Sequence, residues 1–243
     1  MKFSFIRPTE FPADVRAYFT LKNAEWNKHH TIPGLNLGMN SDNEEIVARN
    51  RDAFLTQVEI NSDSLALVHQ IHSDKIIEVE KPGDFGKADG LISNIKGLTL
   101  GIKIADCAPV LMADTKSDWI AAIHAGWRGA SQQIHLKTIT MLQERGVEPE
   151  NLKIYIGPCI SAEKFEVGEE VAAQFPENVV LRNYKKPHVD LKQYLRNSLV
   201  TSGVVENHIE IDSRCTISDE LFYSYRREGD RSGRMMAFIQ RTA

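Results

Sequence analysis

Three residues with ligating or nucleophilic side chains stand at the ends of apolar runs. His72 follows the run Leu65 to Val68, Cys107 follows Leu98 to Ile104, and His124 ends Trp119 to Ile123. A thiolate and two imidazoles suit zinc with its fourth position open, the pattern of a catalytic rather than a structural site. The same residues allow a second chemistry, with Cys107 as nucleophile and His124 as its base. Each also has a plain reading. A buried cysteine is usually an inert small apolar residue, and a strand-end histidine can simply bond a core carbonyl. Asp106 adjoins Cys107 and is a catalytic candidate with it. After His124 come Ala125-Gly126-Trp127-Arg128-Gly129, a small-residue turn into a helix. The free N–H groups of a helix start attract anions, and Arg128 adds a bidentate donor for phosphate or carboxylate.

These side chains need a rigid frame. Short apolar runs bounded by turn residues read as strands buried on both faces: Leu98 to Ile104, Pro109 to Ala113 and Trp119 to Ile123. Further strands are expected at Lys2 to Ile6, Ala17 to Leu21, Leu65 to Val68, Ile76 to Val79, Leu152 to Ile156 and Ile209 to Ile211. Phe222 to Arg226 and Met235 to Ile239 read as a final antiparallel pair. Lys81 to Lys87, with Pro82, Gly83 and Gly86, reads as a loop. Ser41-Asp42-Asn43-Glu44 has the form of a capping box before a helix reaching about residue 59. One long helix is expected from about Ala130 to Arg145, a short one from Gly168 to Phe175, and one capped by Asp190 from Leu191 to about Ser202. Strands follow one another too closely at the centre for strict βαβ alternation. The expectation is a single-domain α/β (α+β) protein, residues 1–243, built as a mixed-sheet sandwich.

Composition narrows the partners. The 243 residues, 42% of them hydrophobic, suffice for one large core. A net charge of -4 and the lack of a basic stretch argue against nucleic acid. No run approaches the ~18 apolar residues of a membrane span, and the start of the chain lacks a signal-peptide core. Three scattered cysteines without a CxxC fit a reducing compartment. A cytoplasmic location without a membrane partner is expected.

The motifs occur in a recognisable order. Gln70-Ile71-His72, Ala105-Asp106-Cys107-Ala108-Pro109 and His124-Ala125-Gly126-Trp127-Arg128-Gly129 are followed by Ile156-Gly157-Pro158, Phe165-Glu166-Val167-Gly168, Arg214-Cys215-Thr216, Ser224-Tyr225-Arg226-Arg227 and Gly233-Arg234. This pattern resembles the laccase-domain (YfiH-like) family, from about Asn36-Leu37-Gly38 to Arg234. Its members are variously named polyphenol oxidase, purine nucleoside phosphorylase and peptidoglycan editing factor. The resemblance implies a mixed α/β sandwich like that of a toxin deamidase with a Cys-His dyad. It implies a metal, usually zinc, held by His72, Cys107 and His124. It also implies phosphorolysis of adenosine, inosine, guanosine and methylthioadenosine, and deamination of adenosine. Asn36 joins Arg128, Glu166 and Arg226 as substrate-binding candidates, with purine nucleosides and phosphate as ligands. Arg226 and Glu166 could equally form a structural ion pair, and Asp89 could support a ligand or merely shape a turn.

The implied activities can be weighed on the residues. A multicopper laccase needs a blue-copper site and a three-copper cluster rich in histidine. Eight histidines without one HxH pair cannot build four sites, although copper can occupy a zinc site of this donor type. A metal-activated water suits deamination, with Asp106 or Glu166 as the proton carrier. Arg128 and the helix start suit a phosphate held for phosphorolysis. A cysteine hydrolase or amidase using Cys107 and His124 without metal is the rival enzyme class, and a non-catalytic scaffold is the third reading.

Overall fold

The computed structural model describes residues 2–39 and 43–242. Along the chain run β1 (Phe5–Ile6), β2 (Val15–Thr20), helix α1 (Glu44–Gln57), β3 (Leu65–His69), β4 (Ile76–Glu78), β5 (Gly83–Lys87) and β6 (Gly90–Ser93). Next come β7 (Thr99–Ile104), β8 (Ala108–Asp114), β9 (Ile120–Ala125), α2 (Trp127–Ser131), α3 (Ile134–Gln143) and β10 (Leu152–Ile156). The last third holds α4 (Glu169–Ala172), β11 (Val180–Leu181), β12 (His188–Val189), α5 (Leu191–Thr201), β13 (Ile209–Ile211), α6 (Tyr225–Glu228) and β14 (Met235–Arg241).

Two six-stranded mixed sheets carry the fold. One has the order β1-β2-β14-β7-β3-β5, the other β13-β10-β8-β9-β6-β4. They face each other, because one core cluster draws Leu100, Ile102, Ala237 and Ile239 from the first sheet and Leu111, Ala113, Ile120 and Ala122 from the second. Alternation along each strand sends the other side chains outward. Val110, Met112, Ala121 and Ile123 pack under Ile139 of α3 and Leu195 of α5. Met236 and Phe238 pack under Phe54 and Leu55 of α1. The layers are therefore helix, sheet, sheet, helix, the mixed α/β sandwich expected from sequence. Both faces of the central strands are buried, which is why they read as unbroken apolar runs rather than as alternating ones.

Four local expectations are corrected. The helix expected from Ala130 to Arg145 is two helices, because Gln133 adopts a left-handed φ of 63° between α2 and α3. Phe222 to Arg226 is not a strand. β14 already has β2 and β7 on its two edges, so no edge is open to a hairpin partner; Phe222 and Tyr223 fill the inter-sheet core, and Ser224 caps α6. Residues 83–87 are not all loop but the edge strand β5, parallel to β3. The cap of α1 is Asn43, whose side chain accepts from the Glu45 N–H; Ser41 and Asp42 of the expected box lie outside the described residues. Among the described residues no helix is long and apolar enough to cross a membrane.

Candidate metal centre and active site

The connections β3 to β4 and β7 to β8 both pass from one sheet to the other at the same end of the sandwich. His72 lies on the first crossing and Cys107 on the second. His124 lies on β9 in register with Ile120 and Ala122, so it points between the sheets. Residues 52 positions apart in sequence are thus brought to one point. The nearest nitrogen and sulfur donors of His72, Cys107 and His124 all lie within 4.8 Å of one another. The two imidazole rings meet edge to face at 4.9 Å.

Asp89 holds two of the three in place. It is wholly buried. Its carboxylate accepts the backbone N–H of Ile71, His72 and Ser73 at 3.2, 3.0 and 2.6 Å and the Ser73 hydroxyl at 2.7 Å. That fixes the His72 turn, where the histidine itself sits at a left-handed φ of 59°. The same carboxylate lies 2.8 Å from His124 Nδ1, and the Asp89 carbonyl accepts the His124 N–H at 2.8 Å. The carboxylate makes Nδ1 the protonated nitrogen of a neutral His124, which leaves Nε2 for Cys107 or a metal. Burial opposes ionisation of Asp89, yet the His124 contact and the Ser73 donors hold its pKa down to about 2. Burial likewise opposes the Cys107 thiolate, but the adjacent His124 and His72 lower the thiol below its usual range. The thiolate and Asp89 in turn raise His124 despite its burial.

The donor set fits zinc. Tetrahedral bonds of about 2.0–2.3 Å put N and S ligands roughly 3.3–3.8 Å apart, a small closure from the observed spread. Gly126 makes the close packing attainable: a Cβ there would stand 3.0 Å from both Cys107 Sγ and His72 Cδ2. Among the described residues this is the one cluster of three or more such donors.

The triad opens into a cavity of about 630 Å³. Three arginines on its wall each stack on an aromatic ring: Arg128 on Trp127 at 4.3 Å, Arg226 on Phe165 at 5.8 Å and Arg234 on Tyr225 at 5.6 Å. The exposed Arg128 side chain has no hydrogen-bond or ion-pair partner among the described residues. Helix α2 spans five residues, too short for a full macrodipole, so the anion-attracting character expected after Gly126 falls to the guanidinium.

The other sequence candidates take different places. Asp106 lines the cavity, but its carboxylate accepts from Thr216 Oγ1 at 2.6 Å, Ser224 Oγ at 3.0 Å and the Arg226 N–H at 2.7 Å. These bonds hold the Cys107 loop, at a left-handed φ of 81° for Asp106, against the C-terminal segment. Glu166 turns its carboxylate to Lys186 at 2.7 Å and contacts the site through its carbonyl, which accepts from Arg226 at 3.1 Å. Asn36 is buried beside the site, not on its wall; its amide oxygen accepts the N–H of Gly38 and of Arg234 at 3.1 and 2.8 Å. Lys103 and Arg234 line the cavity without having been assigned a role from sequence. Lys103 had a legible signal, a lone charge within a strand buried on both faces.

Residues 16–242 match the family described as multi-copper polyphenol oxidoreductase laccase. The chain belongs to this laccase-domain family. A relative in Deinococcus radiodurans named purine nucleoside phosphorylase is 36% identical over 210 residues, 85% of this chain and 81% of the relative. Adenosine deaminase RL5, from an unknown prokaryotic organism, is 30% identical over 78% of this chain and 81% of its own length. YlmD of Geobacillus stearothermophilus superposes with a TM-score of 0.92 at 26% identity, over 99% of each chain. The laccase-domain fold is therefore that of the two mixed sheets described above.

Proposed function

We propose that this chain is a zinc-dependent purine nucleoside phosphorylase with adenosine deaminase activity. The observation that carries the reading is the convergence of an N, S, N donor set and arginine–aromatic pairs on one cavity. The relatives named for phosphorolysis and deamination support it. The cavity volume is in the range that encloses a small organic ligand. Phe165 and Tyr225 offer apolar faces to a purine, and the guanidinium groups of Arg128 and Arg226 offer paired N–H donors to phosphate. Phosphate held below the ribose C1′ forms the new C1′–O bond as the C1′–N9 bond breaks, the purine leaving with the electron pair; positive charge develops on the sugar between them, so fixing the phosphate lowers the barrier by orientation and by charge. His72, Cys107 and His124 would hold the metal, which supplies Lewis acidity at the reacting centre. Asp89 keeps His124 in one tautomer, and Asp106 keeps the Cys107 loop and Arg226 in register. Asp106 has three donors on its carboxylate, which favours this positioning role over the proton-carrying one.

One observation favours a second reading. Asp89, His124 and Cys107 form an acid–imidazole–thiol line, the arrangement of a cysteine hydrolase that needs no metal. Alkylation separates the two, because a ligated thiolate resists it and a free nucleophile does not. The deciding experiment is chromatographic product analysis of zinc-loaded protein with adenosine, with and without phosphate, beside His124→Ala. Adenine that needs phosphate, inosine that does not, and loss of both in the variant are the expected results. No turnover of any purine nucleoside would overturn the reading in favour of the hydrolase.

A further inference from the structure

The outer face of β7 lies in the apolar layer beneath α1, where its register partner Met236 packs with Leu67 and Phe238. Lys103 is on that face. A lysine there needs a reason, because a half-buried ammonium loses hydration that only a partner restores. The residue is firmly built in. The Gln70 amide binds both its backbone N–H and its backbone carbonyl, each at 2.7 Å, so the position is clamped where β3 ends. The ammonium donates to the Val68 carbonyl at 2.9 Å and has no further hydrogen-bond partner among the described residues.

The surroundings hold further positive charge. Arg51 of α1 and Arg234 stand close enough for their charges to oppose that of Lys103, and Asp84 and Asp89 offset them in part without bonding the ammonium. Neither Lys103 nor Arg51 forms an ion pair with a described carboxylate. Lys103 and Arg234 both reach the wall of the cavity that holds the metal triad. Arg128 approaches that cavity from α2, on the helical layer of the other sheet. The cavity thus has cationic groups on two separate walls, and the Lys103 ammonium forms no ion pair with a described carboxylate.

We propose that Lys103 is an anion-binding residue of this cavity, taking a phosphoryl group of a ligand that reaches the His72–Cys107–His124 triad. The ligand's being a nucleoside derivative rests on the function proposed above; the anion site does not. The phosphoryl group has two sources, inorganic phosphate or the phosphate ester of a nucleotide.

Calorimetric titration of the full zinc-loaded chain with inorganic phosphate, adenosine and adenosine 5′-monophosphate tests this without requiring turnover. Two variants are compared. Lys103→Gln keeps an N–H donor for Val68 but removes the charge, and Lys103→Arg keeps the charge. In Lys103→Gln, affinity for phosphate or for the monophosphate falls roughly tenfold or more, as for loss of a charge-assisted hydrogen bond. Adenosine binding and the melting temperature stay as in the wild type, and Lys103→Arg retains most of the anion affinity. A loss confined to phosphate assigns the co-substrate to Lys103; a loss confined to the monophosphate assigns the nucleotide. Unchanged affinity for both anions in Lys103→Gln, or no anion binding by the wild type, overturns the proposal. If anions bind through Lys103 but no nucleoside is turned over, the anion site stands and the phosphorylase reading falls.

Discussion

A single buried carboxylate organises the reactive residues. Asp89 bonds the backbone of the His72 turn, the imidazole of His124 and, through its own carbonyl, the His124 N–H. A ligand histidine whose second nitrogen is held by a carboxylate is both oriented and made more basic. Asp89→Asn is therefore expected to weaken zinc binding by about 10- to 100-fold, measured by competition with a chromophoric chelator. Unaltered zinc affinity in a folded variant would show that the carboxylate only shapes the turn. Asp106 acts beside it on a different part of the site. Its three donors come from residues 216, 224 and 226, so it fastens the cysteine loop to a segment over a hundred residues away.

At the scale of elements, the packing of α3 against α5 contains a polar defect. His135 is wholly buried, meets the Tyr194 ring edge on at 5.7 Å, and has neither ring nitrogen bonded among the described residues. Burial alone pushes its pKa down to about 4. The unfolded chain therefore binds a proton near pH 6.5 that the folded chain refuses. Above that pH the group adds no proton-linked penalty, and as pH falls from about 6.5 to 4 the fold loses up to about 3 kcal/mol. His135→Phe removes both the unbonded nitrogens and this pH dependence. The variant is expected to melt at least as high as wild type at pH 7 and clearly higher at pH 5. Parallel thermal curves for the two proteins across that range would show that His135 is protonated in the fold or bonded to water.

At the scale of the whole molecule, two of the three candidate metal ligands, His72 and Cys107, sit on chain crossings that join the two sheets. A metal there binds the folded state and ties both crossings together, while the unfolded chain leaves His72 and Cys107 unconnected. Zinc at 1,000 times its dissociation constant adds about 4 kcal/mol by mass action, on the order of 10 °C for a chain of this size. Chelation is expected to reverse the rise, and Cys107→Ala to abolish it, both read by differential scanning calorimetry. A zinc-induced rise that survives in Cys107→Ala would locate the stabilising metal elsewhere.

The sequence alone singled out the three candidate donors and the class of fold. Double burial leaves an unbroken apolar run, so β7, β8 and β9 were legible, and the reactive residues stood at their ends. The separation of Asp190 from Gly203 by a periodic segment likewise marked α5. What sequence could not carry was anything set by a third element. Gln133 breaks a periodic helix without any glycine or proline to announce it. Phe222 to Arg226 has strand-like residues, yet β14 had no free edge to offer them. Asp89, Lys103 and Arg234 acquire their positions only when the turn after β3, the end of β7 and the start of β14 meet. Local propensity fixes what a segment can be; which side chains share a cavity is decided by the sheet order and by the two crossings, and these are tertiary facts.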